Sequence, residues 1–352
     1  MQKPTPLFYK QHKLIKKCIL PAFIALLLLL LEWNQSLTTP RLPHSNHPPQ
    51  LYSNQSHDDL RNTFVSSMQT AKNSILLIIY TLTDEKIIQV LRSKSAEGVR
   101  IKVIYDKKAS PQLRARLGSK IETIPRSSSG LMHQKILVVD DEQVWIGSAN
   151  MTRDSLRMHG NLVVAMQSPE LAAFIVERAD KMTAYGERAP YTHRNFTIGE
   201  QEIEVWLHPD ESHGVERIIS LLNSAQKSIK IAMFTWSHQD LAEAVIKAKQ
   251  RGVKVSTVFD RHSAQGASAK IAQLLSQAAI SVKVNSGAGL LHHKFAYIDD
   301  KILINGSANW TKAAFNKNDD CFMILYTLTQ AQKQKMNAVW DVVSTEATLF
   351  KE

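Results

Sequence analysis

His133-Gln134-Lys135-Ile136-Leu137-Val138-Val139-Asp140 runs on through an acidic turn to Gly147-Ser148-Ala149-Asn150, and the chain repeats this wording once. In the second copy His292-His293-Lys294 is followed by Asp299 and then by Gly306-Ser307-Ala308-Asn309 at the same spacing. From ordinary residue usage, one H-x-K-x4-D match in a chain of this length is expected roughly 0.05 times by chance. Two matches, each with Gly-Ser-Ala-Asn at one offset, indicate an internal duplication carrying two half-sites.

The duplication extends beyond the motif. Asn73–Thr81 matches Lys227–Thr235, and Gly98–Asp106 matches Gly252–Asp260, both at an offset of 154 residues; the His-Lys motifs pair at 159. A unit of about 150 residues present twice is too long and too rare for a solenoid. In the first half, periodicity predicts a strand over 75–81, a helix around Ile87–Leu91 ended by Gly98, a strand over 100–105 and a helical stretch near 111–117. A hairpin follows, with strands 132–139 and 143–147 around a turn at Asp140-Asp141-Glu142. The second half repeats the pattern at 229–235, 239–250, 253–259, 267–278, 291–298 and 302–305. Such alternation gives an α/β fold of two pseudo-symmetric lobes, each a mostly parallel mixed sheet flanked by helices. The expected divisions are a first half over 58–185, a linker over 186–200 and a second half over 201–352.

Ahead of the first half, lysines at 10, 13, 16 and 17 precede an apolar run from Cys18 to Leu31. As a helix these residues span about 21 Å, short of the ~30 Å hydrocarbon core. Residues 1–32 therefore read as a signal peptide or signal anchor, with the catalytic body exported or held at a membrane outside the cytoplasm. Residues 33–57, rich in Pro, Asn, Ser and His, read as a flexible tether. The net charge is +11, and removing the five lysines of the leader leaves +6. That mildly basic balance suits an anionic partner, a phospholipid at a membrane surface or a nucleic acid, and does not choose between them. Only Cys321 lies in the folded part, so neither an intrachain disulfide nor a cysteine metal site is available to it.

In a strand, residues i and i+2 share a face. His133 and Lys135 therefore point one way, as do His292 and Lys294, while Asn150 and Asn309 lie just past the returning strand. Imidazole, ammonium and amide in one patch suit phosphoryl transfer: Lys and Asn grip non-bridging oxygens, and His serves as nucleophile or general acid. A single half has one such histidine, so the halves should face each other. Turn position favours a structural role for Asp140 and Asp299. Adjacent His292 and His293 cannot share a metal, and each motif lysine would repel one, so no metal or other cofactor is expected. Neither a P-loop nor a G-x-S-x-G elbow occurs.

These motifs resemble those of the phospholipase D superfamily over about 60–345. The resemblance implies one active site at the interface of the two halves, so that a single chain suffices, and a metal-independent two-step reaction through a phosphohistidine. It makes His133 the nucleophile, His292 the group that protonates the leaving alcohol and then activates water, and Lys135, Lys294, Asn150 and Asn309 the phosphate ligands. It also enlists Asp140 and Asp299 as motif members, and Ser148 and Ser307 as phosphate-binding or orienting groups. In the family an acid downstream in one half commonly orients the histidine of the other. Asn318-Asp319-Asp320 fits that place, whereas Met158-His159-Gly160-Asn161 holds no acid, so Asp320 is expected to orient His133. The wording around His292 is most similar to small one-motif members, which include a bacterial nuclease and mitochondrial cardiolipin hydrolases. Hydrolysis of a phospholipid to phosphatidic acid and a head group is the expectation. Endonuclease action and cardiolipin synthase-like transfer are the alternatives, and Phe234, Trp236 and Trp310 are candidate walls of a lipid cleft.

Overall fold

The structure, a computed structural model, describes residues 40–127, 129–185, 193–209 and 213–350. The chain divides into two units, Met1–Arg41 and Leu42–Glu352, and the strands and helices of the described residues belong to the second. The apolar leader expected over 1–32 lies outside the described residues.

The first half builds β1 (Gln50–Tyr52), β2 (Ser74–Ile79), β3 (Arg100–Asp106), β4 (Glu122–Arg126), β5 (Lys135–Val139), β6 (Gln143–Gly147) and β7 (Val163–Gln167). They form one sheet in the order β1-β7-β6-β5-β2-β3-β4. The second half builds β8 (His193–Ile198), β9 (Gln201–Leu207), β10 (Ser228–Met233), β11 (Lys254–Phe259), β12 (Ser281–Asn285), β13 (Lys294–Ile298), β14 (Ile302–Gly306), β15 (Cys321–Leu325) and β16 (Ala347–Leu349). Their order is β16-β12-β11-β10-β13-β14-β15-β9-β8. The motif hairpins, β5–β6 and β13–β14, sit at equivalent places near the middle of each sheet. β2, β3 and β4 run parallel, as do β10, β11 and β12, and each motif hairpin is antiparallel to its neighbour.

Alternation along β2 assigns each side chain to a layer. Leu76 and Ile78 join a core shared by both halves, which includes Ile136 and Val138 of β5 and Phe295 and Tyr297 of β13. Ile75, Leu77 and Ile79 point the other way, into a core sealed by the helices Leu60–Gln69 and Glu85–Ala96. The second sheet has its own helix-covered core, with Ile229, Ile231 and Met233 of β10 packed against the helix Gln239–Gln250. Covering both faces accounts for β5 and β13 being buried at every position, and hence for their unbroken apolar sequences. Packing the two sheets through a common apolar layer sets the halves face to face.

Several expectations change. Lys135 and Lys294, not residues 132 and 291, begin the motif strands. The helix expected over 267–278 is present as Ala269–Gln277, and a short helical turn not expected from sequence, Arg261–Ala264, precedes it. The tether ends earlier than 57: Gln50–Tyr52 adds a strand to the edge of β7, with Leu51 opposite Val164. Only Leu51 and Tyr52 are buried in this short strand, and the prolines just before it hid the signal. The linker ends earlier too, because His193–Ile198 forms a hairpin with β9, while 186–192 lie outside the described residues.

Candidate active site

The site grows from strand ends. In the ladder Ile79 faces Lys135 and Met233 faces Lys294, so the C-terminal end of each first parallel strand meets the start of each motif strand. The next residues, Tyr80 and Phe234, therefore land on the histidines. The Tyr80 ring lies 5.0 Å from that of His133, and the Phe234 ring 5.0 Å from that of His292. Each also lies beneath a lysine, with Lys135 Nζ 5.2 Å from the Tyr80 centroid and Lys294 Nζ 4.7 Å from that of Phe234. Such cation–π contacts hold an ammonium without neutralising it.

Each motif segment is then stitched to the opposite half. His133 N–H donates to the Asp319 carbonyl (2.8 Å) and Asp319 N–H to the Leu131 carbonyl (2.8 Å). The counterpart places Gly160 beside Leu291, with Gly160 N–H donating to the Leu290 carbonyl (2.8 Å). These crossings bring the residue after each bridge onto the histidine of the other half. His133 Nδ1 donates to Asp320 Oδ1 (2.8 Å), and His292 Nδ1 to Asn161 Oδ1 (3.0 Å). The two supports match down to the serines: Ser307 Oγ donates to Asp320 Oδ1 (2.8 Å) and Ser148 Oγ to Asn161 Oδ1 (2.9 Å). Asn161 Nδ2 donates to the Ser155 carbonyl (2.8 Å), which fixes its oxygen toward His292. Both histidines thus carry hydrogen on Nδ1 and direct Nε2 away from their supports.

All four motif side chains, His133, Lys135, His292 and Lys294, are buried. Burial, then Lys135, holds His133 below the ordinary imidazole value against the upward pull of Asp320. His292 has no carboxylate partner and lies well below that value, through burial and then Lys294 and Lys135. Burial brings Lys135 down to about 7, opposed by Asp320, and takes Lys294 well below the usual lysine range, with Lys135 adding repulsion. Burial would raise the Asp320 carboxyl, but His133, Lys135 and Ser307 outweigh it and hold it below its usual value. Two lysines and two histidines lie close together, with Asp320, Asp106 and Asp260 the carboxylates that act on the lysines, and an anion bound among them would relieve the remaining repulsion. Asn150 and Asn309, at the ends of the returning strands, each keep a buried Oδ1 with no protein partner.

The structure brings together His133, Lys135, His292, Lys294, Ser148, Ser307 and Asp320, but not Asp140 and Asp299. Asp140 follows the far end of β5, about 17 Å of strand from Lys135. Its carboxylate accepts from the N–H groups of Lys72, Asn73 and Ser74, and that of Asp299 from Gln226, Lys227 and Ser228. Their turns also need positive φ, which Asp140 (53°), Asp141 (56°), Asp299 (54°) and Asp300 (53°) all adopt. The catalytic assignment of this pair is therefore corrected to anchoring the hairpin. Ser148 and Ser307 support Asn161 and Asp320, which leaves the orienting half of their expected role. Trp236 and Trp310 are buried against each other, edge to face with centroids 4.6 Å apart, and form core rather than cleft. Phe234 alone of the three reaches the site.

Reasoning from sequence did not identify Asn161 as the partner of His292, although the offset from Asp320 pointed to it. It also missed Arg126, whose guanidinium makes a bidentate ion pair with Asp319 (2.6 and 2.9 Å) that is buried between the halves. No local pattern links residues so far apart in the chain.

A family model described as cardiolipin synthase, PLD-like domain matches residues 64–183 and again 218–340. The chain belongs to the phospholipase D superfamily. The mitochondrial cardiolipin hydrolase of Chlamydomonas reinhardtii is 31% identical over 140 residues, which is 38% of this chain and 62% of that protein. A phospholipase D of Rickettsia typhi is 32% identical over 120 residues, 34% of this chain and 58% of that protein. The chain thus spans about three-fifths of the length of the curated relatives it matches. The solved phosphatidylserine synthase of Haemophilus influenzae Rd KW20 aligns over 91% of both chains with a TM-score of 0.69 at 13% identity, a likeness of fold.

Proposed function

We propose that the protein is a metal-independent phosphodiesterase of the phospholipase D type, which hydrolyses a phospholipid to phosphatidic acid and a free head group. The observation that carries the reading is the unequal support of two facing histidines: Asp320 under His133, Asn161 under His292.

His133 Nε2 attacks phosphorus, and the bond from phosphorus to the head-group oxygen breaks. His292 Nε2–H gives its proton to that oxygen. The positive charge developing on the His133 ring is stabilised by Asp320 through Nδ1–H, which favours this histidine as the one that carries phosphorus. Neutral in the empty site, His292 takes up a proton on Nε2 as the phosphodiester anion enters and offsets the two lysines, gives that proton to the leaving oxygen, and is then neutral and free to accept one from water. Water then attacks the phosphohistidine, the P–N bond breaks, and His292 takes the water proton. Lys135, Lys294, Asn150 and Asn309 are suited to hold the non-bridging oxygens through both steps. The apolar leader would bring this body to a membrane surface outside the cytoplasm, and one chain completes the site.

The test is incubation of the purified protein with EDTA against phosphatidylcholine, cardiolipin and single-stranded DNA. Release of phosphatidic acid without DNA cleavage is expected. DNA cleavage alone would sink the phospholipid reading, and phosphatidyl transfer to an added alcohol in preference to water would recast it as a synthase.

A further inference from the structure

The pseudo-twofold relation makes the supports of the two histidines directly comparable. At the offset of 159 that takes His133 to His292, His159 corresponds to Asn318, Gly160 to Asp319 and Asn161 to Asp320. The segment under His133 is locked by its own side chains. Asn318 Oδ1 accepts from Leu131 N–H (3.0 Å), Asn318 Nδ2 donates to Asp320 Oδ2 (3.3 Å), and Asp319 is held by Arg126. The segment under His292 has neither that asparagine nor that acid. A short turn ahead of the duplicated halves, Asn54–Ser56, takes their place. Asn54 Nδ2 donates to the His159 carbonyl and Asn54 Oδ1 accepts from Asn161 N–H (3.2 Å), so one amide spans the segment. His293 Nε2–H donates to Gln55 Oε1. A Cβ at position 160 would lie 2.8 Å from Gln55 Oε1 and 3.0 Å from His293 Nε2, which accounts for glycine where the other half has Asp319.

The turn is itself firmly built. Asp58 Oδ2 accepts from Ser53 N–H (2.7 Å) and pairs with Lys335 Nζ (2.6 Å) on the helix Gln330–Thr345, and β1 just before the turn belongs to the first sheet. Burial, then Lys294, brings His293 down to about 3, so its ring stays neutral and keeps one hydrogen for Gln55. The His293 carbonyl in turn accepts from Phe234 N–H (2.8 Å), and the Phe234 ring packs on His292. We propose that Asn54 and Gln55 are positioning residues for His292. Asn54 fixes Asn161, whose Oδ1 holds hydrogen on His292 Nδ1, and Gln55 fixes His293 and with it the seat of the His292 ring. With Nδ1 so occupied, neutral His292 keeps Nε2 free to take up a proton and pass it on. Were Asn161 to shift, the Nε2–H tautomer would fill in, and Nε2 could neither accept a proton from water nor stay aimed at the leaving oxygen. This rests on the division of labour proposed above and extends it to residues outside the duplicated halves.

In the full chain, Asn54→Leu and Gln55→Met remove these bonds at nearly constant volume. Each should lower kcat/KM on phosphatidylcholine by about 10–100-fold through kcat, within the roughly 10²–10⁴-fold that a general acid supplies. Bis(p-nitrophenyl) phosphate, whose leaving group departs without a proton, should lose far less. Gln55→Glu keeps an acceptor for His293 and should recover most of the selectivity lost in Gln55→Met. Where Asn54→Leu does not fold, Asn54→Ser carries the same expectation. Unchanged kinetics, or equal losses on both substrates with the phosphoryl adduct on His133, would overturn the positioning role alone. An adduct on His292 would overturn the division of labour, and the positioning of an acid with it. If wild type cleaves single-stranded DNA and not the lipid, the phospholipid reading fails by itself, and the same comparison holds with DNA as the alkyl diester.

Discussion

Asp320 and Asn161 occupy equivalent places and hold equivalent histidines, yet one carries a charge and the other does not. Asp320→Asn would make both supports alike, and about 10²–10⁴-fold of kcat should be lost, as when a catalytic proton or charge partner is removed. Asn161→Asp does the reverse. A carboxylate beside His292 raises its pKa from the depressed position set by burial and Lys294, so the alkaline limb of the pH–kcat profile should move upward. A profile that stays in place would remove His292 from the acid role. The lysines make a separate prediction at this scale. Lys135 is protonated less readily in the folded protein, at about 7, than in an unfolded chain near 10.4. Between those values the unfolded state binds more protons, so ligand-free stability should rise with pH from about 7 to 10. Lys135→Met should abolish activity, raise the melting temperature by a few degrees at pH 7 and flatten that slope. A lower melting temperature across the whole range would contradict the account.

At the scale of elements, the motif hairpins are anchored at one end and reactive at the other. Asp140 gathers three backbone N–H groups of the segment entering β2, and Asp299 does the same for β10. Asp140→Ala should therefore cost about 1.5–3 kcal/mol in denaturant unfolding, the range for hydrogen bonds to a charged group. Turnover per folded molecule should stay within a few-fold of wild type, and a loss like that of His133→Ala would return Asp140 to the catalytic set. The strands, the hairpin turns and the face shared by His133 and Lys135 were legible in the sequence, because short apolar runs and duplication both mark them. β1 and β8 were not, since short edge strands beside prolines and polar residues carry little periodic signal. Trp236 and Trp310 were misplaced for a related reason: composition alone does not say which face of a loop turns inward.

Across the whole molecule, the site exists only where the two halves meet. The Asp320 crossing could be anticipated from a repeat that keeps an acid in one copy. The Arg126–Asp319 pair could not, because it links unlike positions of the two halves through the fold. Both side chains are buried, so breaking the pair leaves a charge stranded. Asp319→Ala should destabilise by about 3–5 kcal/mol, and Arg126→Met with Asp319→Leu should recover only the part due to Arg126, because buried Arg178 also lies 4.0 Å from that carboxylate. If Asp319→Ala unfolds like wild type, the pair does not join the halves.

The division of labour between the two histidines is tested most directly by denaturing the protein in detergent at neutral pH during turnover, which spares the acid-labile P–N bond, and locating phosphorus on its peptides by mass spectrometry. His292→Ala should accumulate a phosphoryl adduct on the His133 peptide, and His133→Ala should form none. An adduct on His292 that persists in His133→Ala would reverse the assignment.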